Sequence, residues 1–427
     1  MKTHIKIMSW ALFGALSAAA APAAASGFGL GTQSGSGTGN AFAGGAAAAD
    51  DASVAWFNPA GMTLLPMGKQ IAGALHMLKP SFKFQNNGST GAFAGAGTGD
   101  GGDGGDWAYV PNGFFAMDIN PKLRFGLAFN VPFGLKTEYE NGWRGQLAAL
   151  KSEIKTINVN PSVAYKINDT VSIGGGVSVQ KLDAELSAFA GSAAAGNLTL
   201  DADDIGYGFN LGIMFQIAPN TRIGASYRSS IKYDLEGTAR FSGTSGALLG
   251  SGVRADLTVP ESVSISFLTS LDPKWELMGD ATWTRWSQIQ QLVVIRTTAT
   301  GAGATVGSTL TMLPFLWDDV WRLGVGANYK MNNQTKIRFG LALDKTPTND
   351  VTRTPRLPDE DRTWVAIGMQ YRVSNTGLLD IGYAHEFIRD ANVRVNASTA
   401  LVCPSHCLNG KFDNKADIFS VQYSHSF

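Results

Sequence analysis

The two cysteines of the chain lie close together near its carboxyl end, with a histidine between them. Cys403 and Cys407 are four positions apart, and His406 directly precedes the second cysteine. In an oxidising compartment, two such cysteines form a disulfide that closes a loop. The same residue types bind zinc, but two cysteines and one histidine leave a tetrahedral zinc site incomplete. We therefore predict a Cys403–Cys407 disulfide and no metal ion.

Acidic residues also alternate with glycines in the segment 100–106. Carboxylates are the ligands that Ca²⁺ prefers, but the segment lacks the glutamate that closes an EF-hand loop. We interpret it as a flexible extracellular loop.

Motifs of hydrolytic enzymes are missing from the sequence. There is no G-x-S-x-G, and His385-Glu386 is not followed by the second histidine of an H-E-x-x-H motif. We therefore predict a protein that is not an enzyme and binds no cofactor. A hydrolase within the fold stays open as an alternative, because a catalytic triad is assembled in space and not along the sequence.

Composition narrows the class of protein further. The 34 lysines and arginines balance 34 aspartates and glutamates, which argues against a nucleic-acid-binding protein. Charged residues make up only 16% of the chain, and 51 of the 427 residues are glycine. Mean hydropathy is near zero, too low for a helical membrane protein. This composition is typical of a β-rich protein in which apolar residues alternate with small and polar ones.

The first 25 residues have the pattern of a secretory signal peptide. Lys2 and Lys6 are basic, residues 5–21 are mostly apolar, and 23–25 are alanines. We predict cleavage near Ala25 or Ser26 and export from the cytoplasm.

From about residue 70 onward, apolar residues recur with a period of two. In Trp321–Lys330, for example, Trp321, Leu323 and Val325 alternate with small or charged residues. Such strands approach the length of about 9–11 residues that crosses a bilayer. Short turns alternate with long loops such as 187–203 and 390–415. The short turns are Asn120-Pro121, Asn168-Asp169, Pro219-Asn220, Asp272-Pro273, Asn332-Asn333 and Ser374-Asn375. The pattern predicts an all-β fold, a transmembrane antiparallel β-barrel of about 14 strands over residues 69–427.

The carboxyl end supports a location in the outer membrane of a Gram-negative bacterium. Residues 419–427 alternate aromatic or apolar residues with polar ones and end on Phe427. This ending resembles the signature read by the outer-membrane assembly machinery, which we expect as a partner together with outer-membrane lipids. We expect a monomer. The alternative, a secreted β-sandwich, would carry more charge on its outer faces.

The segment 26–68 does not fit a barrel strand. It is rich in small residues, and the stretch Ala41–Ala49 predicts a short helix. Asn58-Pro59-Ala60 predicts a helix start, because asparagine caps and proline needs no N–H there. Trp56 and Phe57 would be exposed in a free tail. We therefore predict a small helical hatch that plugs the lumen.

Many short motifs resemble those of the FadL/TodX outer-membrane transporters, and they extend over essentially the whole chain after residue 26. They are Gly27–Leu30, Ala48–Ala52, Asn58–Met62, Phe133–Leu135, Asn160–Tyr165, Val259–Ser262, Asp272–Trp275, Trp286–Leu292, Trp317–Arg322 and Leu357–Trp364. The resemblance implies a fourteen-stranded barrel with an internal hatch. It also implies passive uptake of hydrophobic small molecules, namely long-chain fatty acids or, in some members, aromatic hydrocarbons. A surface adhesin with long loops remains the alternative from another class.

Pro132 interrupts the predicted strand Leu123–Leu135, where it removes a backbone N–H and favours a kink. On spacing alone, it is equally compatible with a strand end at the rim. The resemblance at Phe133-Gly134-Leu135 implies a lateral gate in the third strand, formed by Pro132, Phe133 and Gly134, through which substrate leaves sideways.

Substrate-binding residues are predicted in and next to the hatch. We expect Phe28, Leu30, Trp56, Phe57 and Leu313 to border an apolar pocket.

The position of the substrate head group is left open by the sequence. A register match places Ala188 and Leu313 where fatty-acid members of the family carry basic residues. An uncharged hydrocarbon or ester therefore remains an alternative substrate. Arg144, Arg228 or Lys232 are other cations that could bind a carboxylate.

Overall fold

The computed structural model describes residues 26–299, 301, 304–396 and 406–427. Its strands are β1 Lys69–Asn86, β2 Ala108–Asn120, β3 Leu123–Asn130, β4 Gly134–Glu138, β5 Lys151–Lys166, β6 Val171–Phe189, β7 Asn197–Ala218, β8 Thr221–Arg228, β9 Ile231–Phe241, β10 Ser251–Val259, β11 Ser262–Ser270, β12 Trp275–Thr284, β13 Gln291–Arg296, β14 Thr309–Pro314, β15 Val320–Lys330, β16 Thr335–Asp344, β17 Arg362–Arg372, β18 Gly377–Ile388, β19 Ala391–Asn396 and β20 Cys407–Ser426. Short helices are Gly35–Thr38, Val54–Phe57, Ala92–Gly95 and Gly246–Leu249, and 3₁₀ helices are Pro59–Leu64 and Trp286–Gln288. Over these residues, none of the helices is both long and apolar enough to span a bilayer.

The strands close into one antiparallel cylinder, in which β1 pairs with β2 on one side and with β20 on the other. Six strands of the wall are interrupted, and their halves are β3 and β4, β8 and β9, β10 and β11, β12 and β13, β14 and β15, and β18 and β19. The wall therefore has fourteen strands, which confirms the predicted fold. The six predicted short turns join consecutive strands at one rim.

The two faces of the wall differ in polarity, as the period of two predicts. Trp321, Leu323 and Val325 on β15 are exposed on the outer face, as expected of a wall that faces lipid. Polar residues such as Arg338 on β16 and Gln422 on β20 are buried inside the cylinder.

Several strands are longer than a bilayer requires, and the predicted loop 187–203 is wrong. β7 has 22 residues, and β6 and β7 remain paired as far as Phe189 and Asn197. Since about 9–11 residues cross the membrane, the rest of this hairpin projects beyond it. Its backbone groups stay satisfied because the two strands continue to pair with each other.

Residues 26–66, here called the N-terminal segment, contact the inner faces of strands from around the cylinder. The backbone N–H of Gly35 donates to Gln422 Oε1 at 2.9 Å. Asn40 donates to the carbonyl of Phe339 at 3.1 Å. A Cβ at Gly340 would clash with the backbone of Asn40, so only glycine lets the segment approach this closely.

Helical structure in the N-terminal segment differs from the prediction at one place. The predicted helix at Ala41–Ala49 is wrong, since these residues form consecutive turns. Ala41 and Phe42 have φ values of 47° and 58°, which an α-helix cannot contain.

The Asn58-Pro59-Ala60 motif starts a helix as predicted, although the helix is of the 3₁₀ type. Asn58 Oδ1 accepts a hydrogen bond from the Ala60 N–H at 3.1 Å. The side-chain amide of Asn58 also donates to the carbonyls of Ala46 at 2.7 Å and Ile213 at 3.0 Å. The Asn58 side chain thus caps the 3₁₀ helix, bonds another part of the N-terminal segment at Ala46 and bonds β7 at Ile213.

Both chain ends contain predictions that the described residues do not test. The signal peptide at 1–25 lies outside them, as does Cys403. Cys407 is the buried first residue of β20, and the disulfide stays a prediction. Phe427 donates its backbone N–H to the Lys69 carbonyl at 2.8 Å, which joins the last residue to the first strand.

Candidate functional site

The third strand of the wall is broken at residues 131–133, here called the strand break. Asn130 on β3 pairs with Asn158, and Gly134 on β4 pairs with Lys155. The three residues of the break therefore oppose only two residues of β5, which shifts the register. Phe133 keeps its place because its N–H donates to Thr156 Oγ1 at 2.9 Å. Pro132 thus sits in a bulge with one extra residue.

On its other side, the strand break faces the N-terminal segment instead of β2. β2 pairs with β3 only as far as Gly113, and β5 is the one strand that pairs with β4 in the described part of the chain. The Leu30 N–H donates to the Pro132 carbonyl at 2.7 Å, and the Gly134 N–H donates to the Phe28 carbonyl at 2.8 Å. The ladder of the wall is therefore open between β2 and β4, and the start of the N-terminal segment covers the opening.

Four aromatic rings meet beside the strand break, and we call them the aromatic plug. The ring of Phe28 lies 5.0 Å from that of Trp286 and 5.8 Å from those of Phe133 and Trp317, between centroids. Only 3% of the Phe28 surface is exposed. The rings come from the N-terminal segment, the strand break and two interruptions of the wall.

A cavity of about 240 Å³, the lumen cavity, lies between the N-terminal segment and the wall. Its apolar side is formed by Leu30, Trp56, Phe57, Phe133 and Trp286. Its polar side consists of hydroxyl-bearing residues on β11 and β12 together with charged residues. The polar residues are Ser262, Ser264, Ser266, Thr282, Thr284, Arg228, Arg322, Asp280 and Asp344.

Phe28 and Trp317 of the aromatic plug border a smaller and mostly apolar space of about 60 Å³, the inner pocket, whereas Phe133 and Trp286 border the lumen cavity. The inner pocket is bordered by Phe28, Leu135, Leu257, Trp317 and Leu357 among others. The aromatic plug therefore separates the inner pocket from the lumen cavity.

A third space of about 220 Å³, the outer groove, opens among the long connections. It shares Leu313 and Arg356 with the inner pocket, so the two spaces adjoin. Aliphatic residues from the ends of β6, β7 and β14 form its walls, with Arg394 at one side. These aliphatic residues are Leu186, Leu198, Leu200, Leu310 and Leu313.

Arg356 is a buried cation at the junction of the outer groove and the inner pocket. Its Nη1 donates to the Lys151 carbonyl at 3.2 Å and to Ser152 Oγ at 3.0 Å, and it forms no ion pair within the described ranges. Burial lowers the pKa of Arg356 to about 10, because the charge is removed from water. The side chain is still protonated at neutral pH and can bind a carboxylate.

The beginning of the N-terminal segment is anchored by a charged cluster. The Gly27 N–H donates to Asp359 Oδ2 at 2.8 Å. Asp359 also pairs with Arg362, which pairs with Glu386 at 2.8 Å. The charged cluster therefore fixes Gly27, the residue directly before Phe28.

The residues predicted to bind substrate line all three of these spaces, since Leu313 borders both the inner pocket and the outer groove. Leu30, Trp56 and Phe57 line the lumen cavity, whereas Phe28 and Leu313 line the inner pocket. Pro132 and Phe133 border the lumen cavity. Gly134 begins β4 and binds the Phe28 carbonyl.

Asn58, Pro59 and Ala60 lie against β6 and β7, away from the inner pocket. Sequence reasoning missed Trp286 and Trp317, although both belong to motifs in which the resemblance is strong. It also missed Arg356, which no local pattern distinguishes from other loop arginines.

Comparison with known proteins gives a consistent result over nearly the whole chain. Residues 16–427 match the family described as outer membrane protein transport protein, OMPP1/FadL/TodX. The long-chain fatty acid transport protein of Salmonella typhi is 26% identical over 419 residues, which cover 91% of each chain.

Two solved structures share the fold. A Pseudomonas aeruginosa FadL homologue superposes with a TM-score of 0.84 at 25% identity and covers 94% of this chain and 100% of that chain. The Ralstonia pickettii toluene transporter TbuX has a TM-score of 0.67 at 18% identity and covers 92% and 98%. A matching family over the length of the barrel places the protein in the outer membrane. The chain belongs to the OMPP1/FadL/TodX family of outer-membrane transport proteins.

Proposed function

We propose that the protein takes up long-chain fatty acids, using the N-terminal segment as a hatch and the strand break as a lateral exit. One observation carries the proposal: the outer groove, the inner pocket and the lumen cavity follow one another and end at an opening in the wall. A water-filled pore would not help such a solute, since each buried CH₂ is worth about 0.8 kcal/mol. Successive apolar spaces do help, because they keep the alkyl chain out of water at each step.

In this mechanism, Phe28 is the residue that changes position when substrate binds. An alkyl chain that enters the inner pocket competes with the Phe28 ring for the same apolar walls. When Phe28 withdraws from the aromatic plug, the inner pocket joins the lumen cavity. Because the backbone of Phe28 and Leu30 binds Gly134 and Pro132, the same movement uncovers the strand break. Substrate binding and exit are therefore coupled through one short piece of chain.

A carboxylic acid is the substrate class that the entrance favours. Arg356 supplies a cation at the junction of the outer groove and the inner pocket, even though Ala188 and Leu313 are apolar. The named activity of the Salmonella relative, long-chain fatty acid transport, agrees with this assignment. Aromatic hydrocarbons are the alternative substrate.

The test compares oleate with toluene. Binding to the purified protein in detergent and uptake by cells that lack other transporters of this family should be saturable for oleate. Arg356→Gln should weaken oleate binding about tenfold, since a hydrogen bond to a charged group is worth about 1.5–3 kcal/mol. Toluene binding should not change.

Arg240→Gln is the matched control, because Arg240 is an exposed arginine that pairs with Asp201 and lines none of the three spaces. Saturable uptake of toluene without uptake of oleate would contradict the assignment to fatty acids.

A further inference from the structure

Arg228, the last residue of β8, is a cation of the lumen cavity that has no anionic partner in the described part of the chain. Its guanidinium carbon lies 3.3 Å from the ring centroid of Trp56. Its Nη2 donates to the Trp56 carbonyl at 2.8 Å. Its Nη1 is buried and has no hydrogen-bond partner, and Arg228 forms no ion pair with any carboxylate among the residues described.

Two other arginines that point into the cylinder, Arg322 and Arg338, are neutralised by carboxylates. Arg322, which also lines the lumen cavity, lies 3.4 Å from Asp280. Arg338 lies 2.9 Å from Asp50 and 3.1 Å from Asp380. A buried charge without a partner is expensive for a folded protein. Arg228 differs from these two arginines in the way expected of a group that binds a transient anion, and its buried Nη1 has no acceptor among the described residues.

The position of Arg228 fits such an anion. The lumen cavity reaches from Arg228 to Pro132 and Phe133 at the strand break, and hydroxyls such as that of Ser264 line its wall. Stacking on Trp56 and the bond to its carbonyl fix the plane of the guanidinium, which leaves one nitrogen free to donate. At the strand break the cavity is lined by the neighbouring rings of Phe133 and Trp286, an apolar surface on which an alkyl chain can lie.

We propose that Arg228 binds the carboxylate of a fatty acid that has passed the aromatic plug, while its alkyl chain points to the strand break. The molecule then leaves tail first, and its charged end is the last part to lose its contact with the protein. This inference rests on the proposed function, and it makes Arg228 a specificity-determining residue for anionic substrates inside the barrel.

The test measures cellular uptake of oleate and of methyl oleate, which has the same chain without the charge. Arg228→Gln should lower oleate uptake about tenfold and leave methyl oleate uptake unchanged. Arg228→Lys should keep part of the oleate uptake, because it retains the charge.

Arg222→Gln is the matched control for a purely structural role. Arg222 lies on the same strand, and its Nε donates to the Ala47 carbonyl of the N-terminal segment at 2.6 Å, but it does not line the lumen cavity. It should not discriminate between the two substrates. Heat-modifiable migration on gels should verify that each variant is folded.

The outcomes separate this proposal from the proposed function. If Arg228→Gln lowers the uptake of both compounds equally, or of neither, the assignment of Arg228 is wrong while fatty-acid uptake by the parent protein still stands. If the parent protein shows no saturable oleate uptake, both proposals are wrong.

Discussion

At the scale of single residues, the arginines inside the barrel form two groups. Arg338 and Arg362 each bind two carboxylates, and they link strands of the wall to each other or to the N-terminal segment. Among the residues that the structure describes, Arg228 and Arg356 have only neutral acceptors, and both line spaces along the proposed path. Arg338 and Arg362 stabilise the structure, whereas Arg228 and Arg356 mark positions where a ligand can provide the missing charge.

Phe28 gives a prediction at this scale. Phe28→Ala should remove the ring that separates the inner pocket from the lumen cavity. Truncation of a buried phenylalanine to alanine lowers the free energy of unfolding by about 3–5 kcal/mol. The start of the N-terminal segment should then detach, so that the protein conducts ions. Conductance of the purified protein in planar bilayers measures this effect.

Phe84→Ala is the control for Phe28→Ala. Both rings are 3% exposed, but Phe84 packs against Trp143 and Phe412 outside the aromatic plug. It should conduct no better than the parent protein. Equal conductance of the two variants would mean that Phe28 does not close the path.

At the scale of the element, the strand break depends on the number of residues as much as on proline. Residues 131–133 oppose two residues of β5, so the register must shift even if Pro132 is replaced. Deleting Pro132 would let β3 and β4 form one continuous strand, which β2 could then pair along its whole length.

This geometry predicts different results for a deletion and a substitution. Deletion of Pro132 should reduce oleate uptake to near background and leave oleate binding in detergent unchanged, because the exit closes while the outer groove and inner pocket remain. Pro132→Val restores a backbone N–H but keeps the extra residue, so its uptake should be slowed less. Binding that is lost together with uptake in the deletion variant would show that the break supports the pockets and is not an exit.

The sequence predicts elements better than it predicts the contacts between them. Pro132 marks the broken strand because proline removes a ladder hydrogen bond, and the period of two marks the fourteen strands. That the backbone of Phe28 and Leu30 covers the break could not be predicted, since it joins residues about a hundred positions apart through main-chain atoms that carry no sequence signal. The turns at Ala41 and Phe42 were missed for a related reason, because helix propensity yields to close packing against Gly340.

At the scale of the whole molecule, the barrel and the N-terminal segment have different sources of stability. The ladder from β1 to β20 closes the cylinder without any residue of the segment, except at the strand break, where the segment binds the backbone of Pro132 and Gly134. The segment is held by side chains and by short backbone contacts, such as those of Asn58 and Gly35. It can therefore move or be removed without breaking the strand pairs of the wall, although its removal uncovers the strand break.

Deletion of residues 27–57 tests this separation. The truncated protein should still insert and show heat-modifiable migration, because closure of the cylinder does not require the segment. It should lose saturable oleate uptake, since the aromatic plug and one wall of the lumen cavity are gone, and it should pass small solutes without selection. Arg338 would lose Asp50 but keep Asp380, so one buried ion pair would survive and limit the loss of stability. A truncated protein that fails to fold would show that the N-terminal segment is part of the core of the barrel. A truncated protein that retains saturable uptake would show that the segment takes no part in transport.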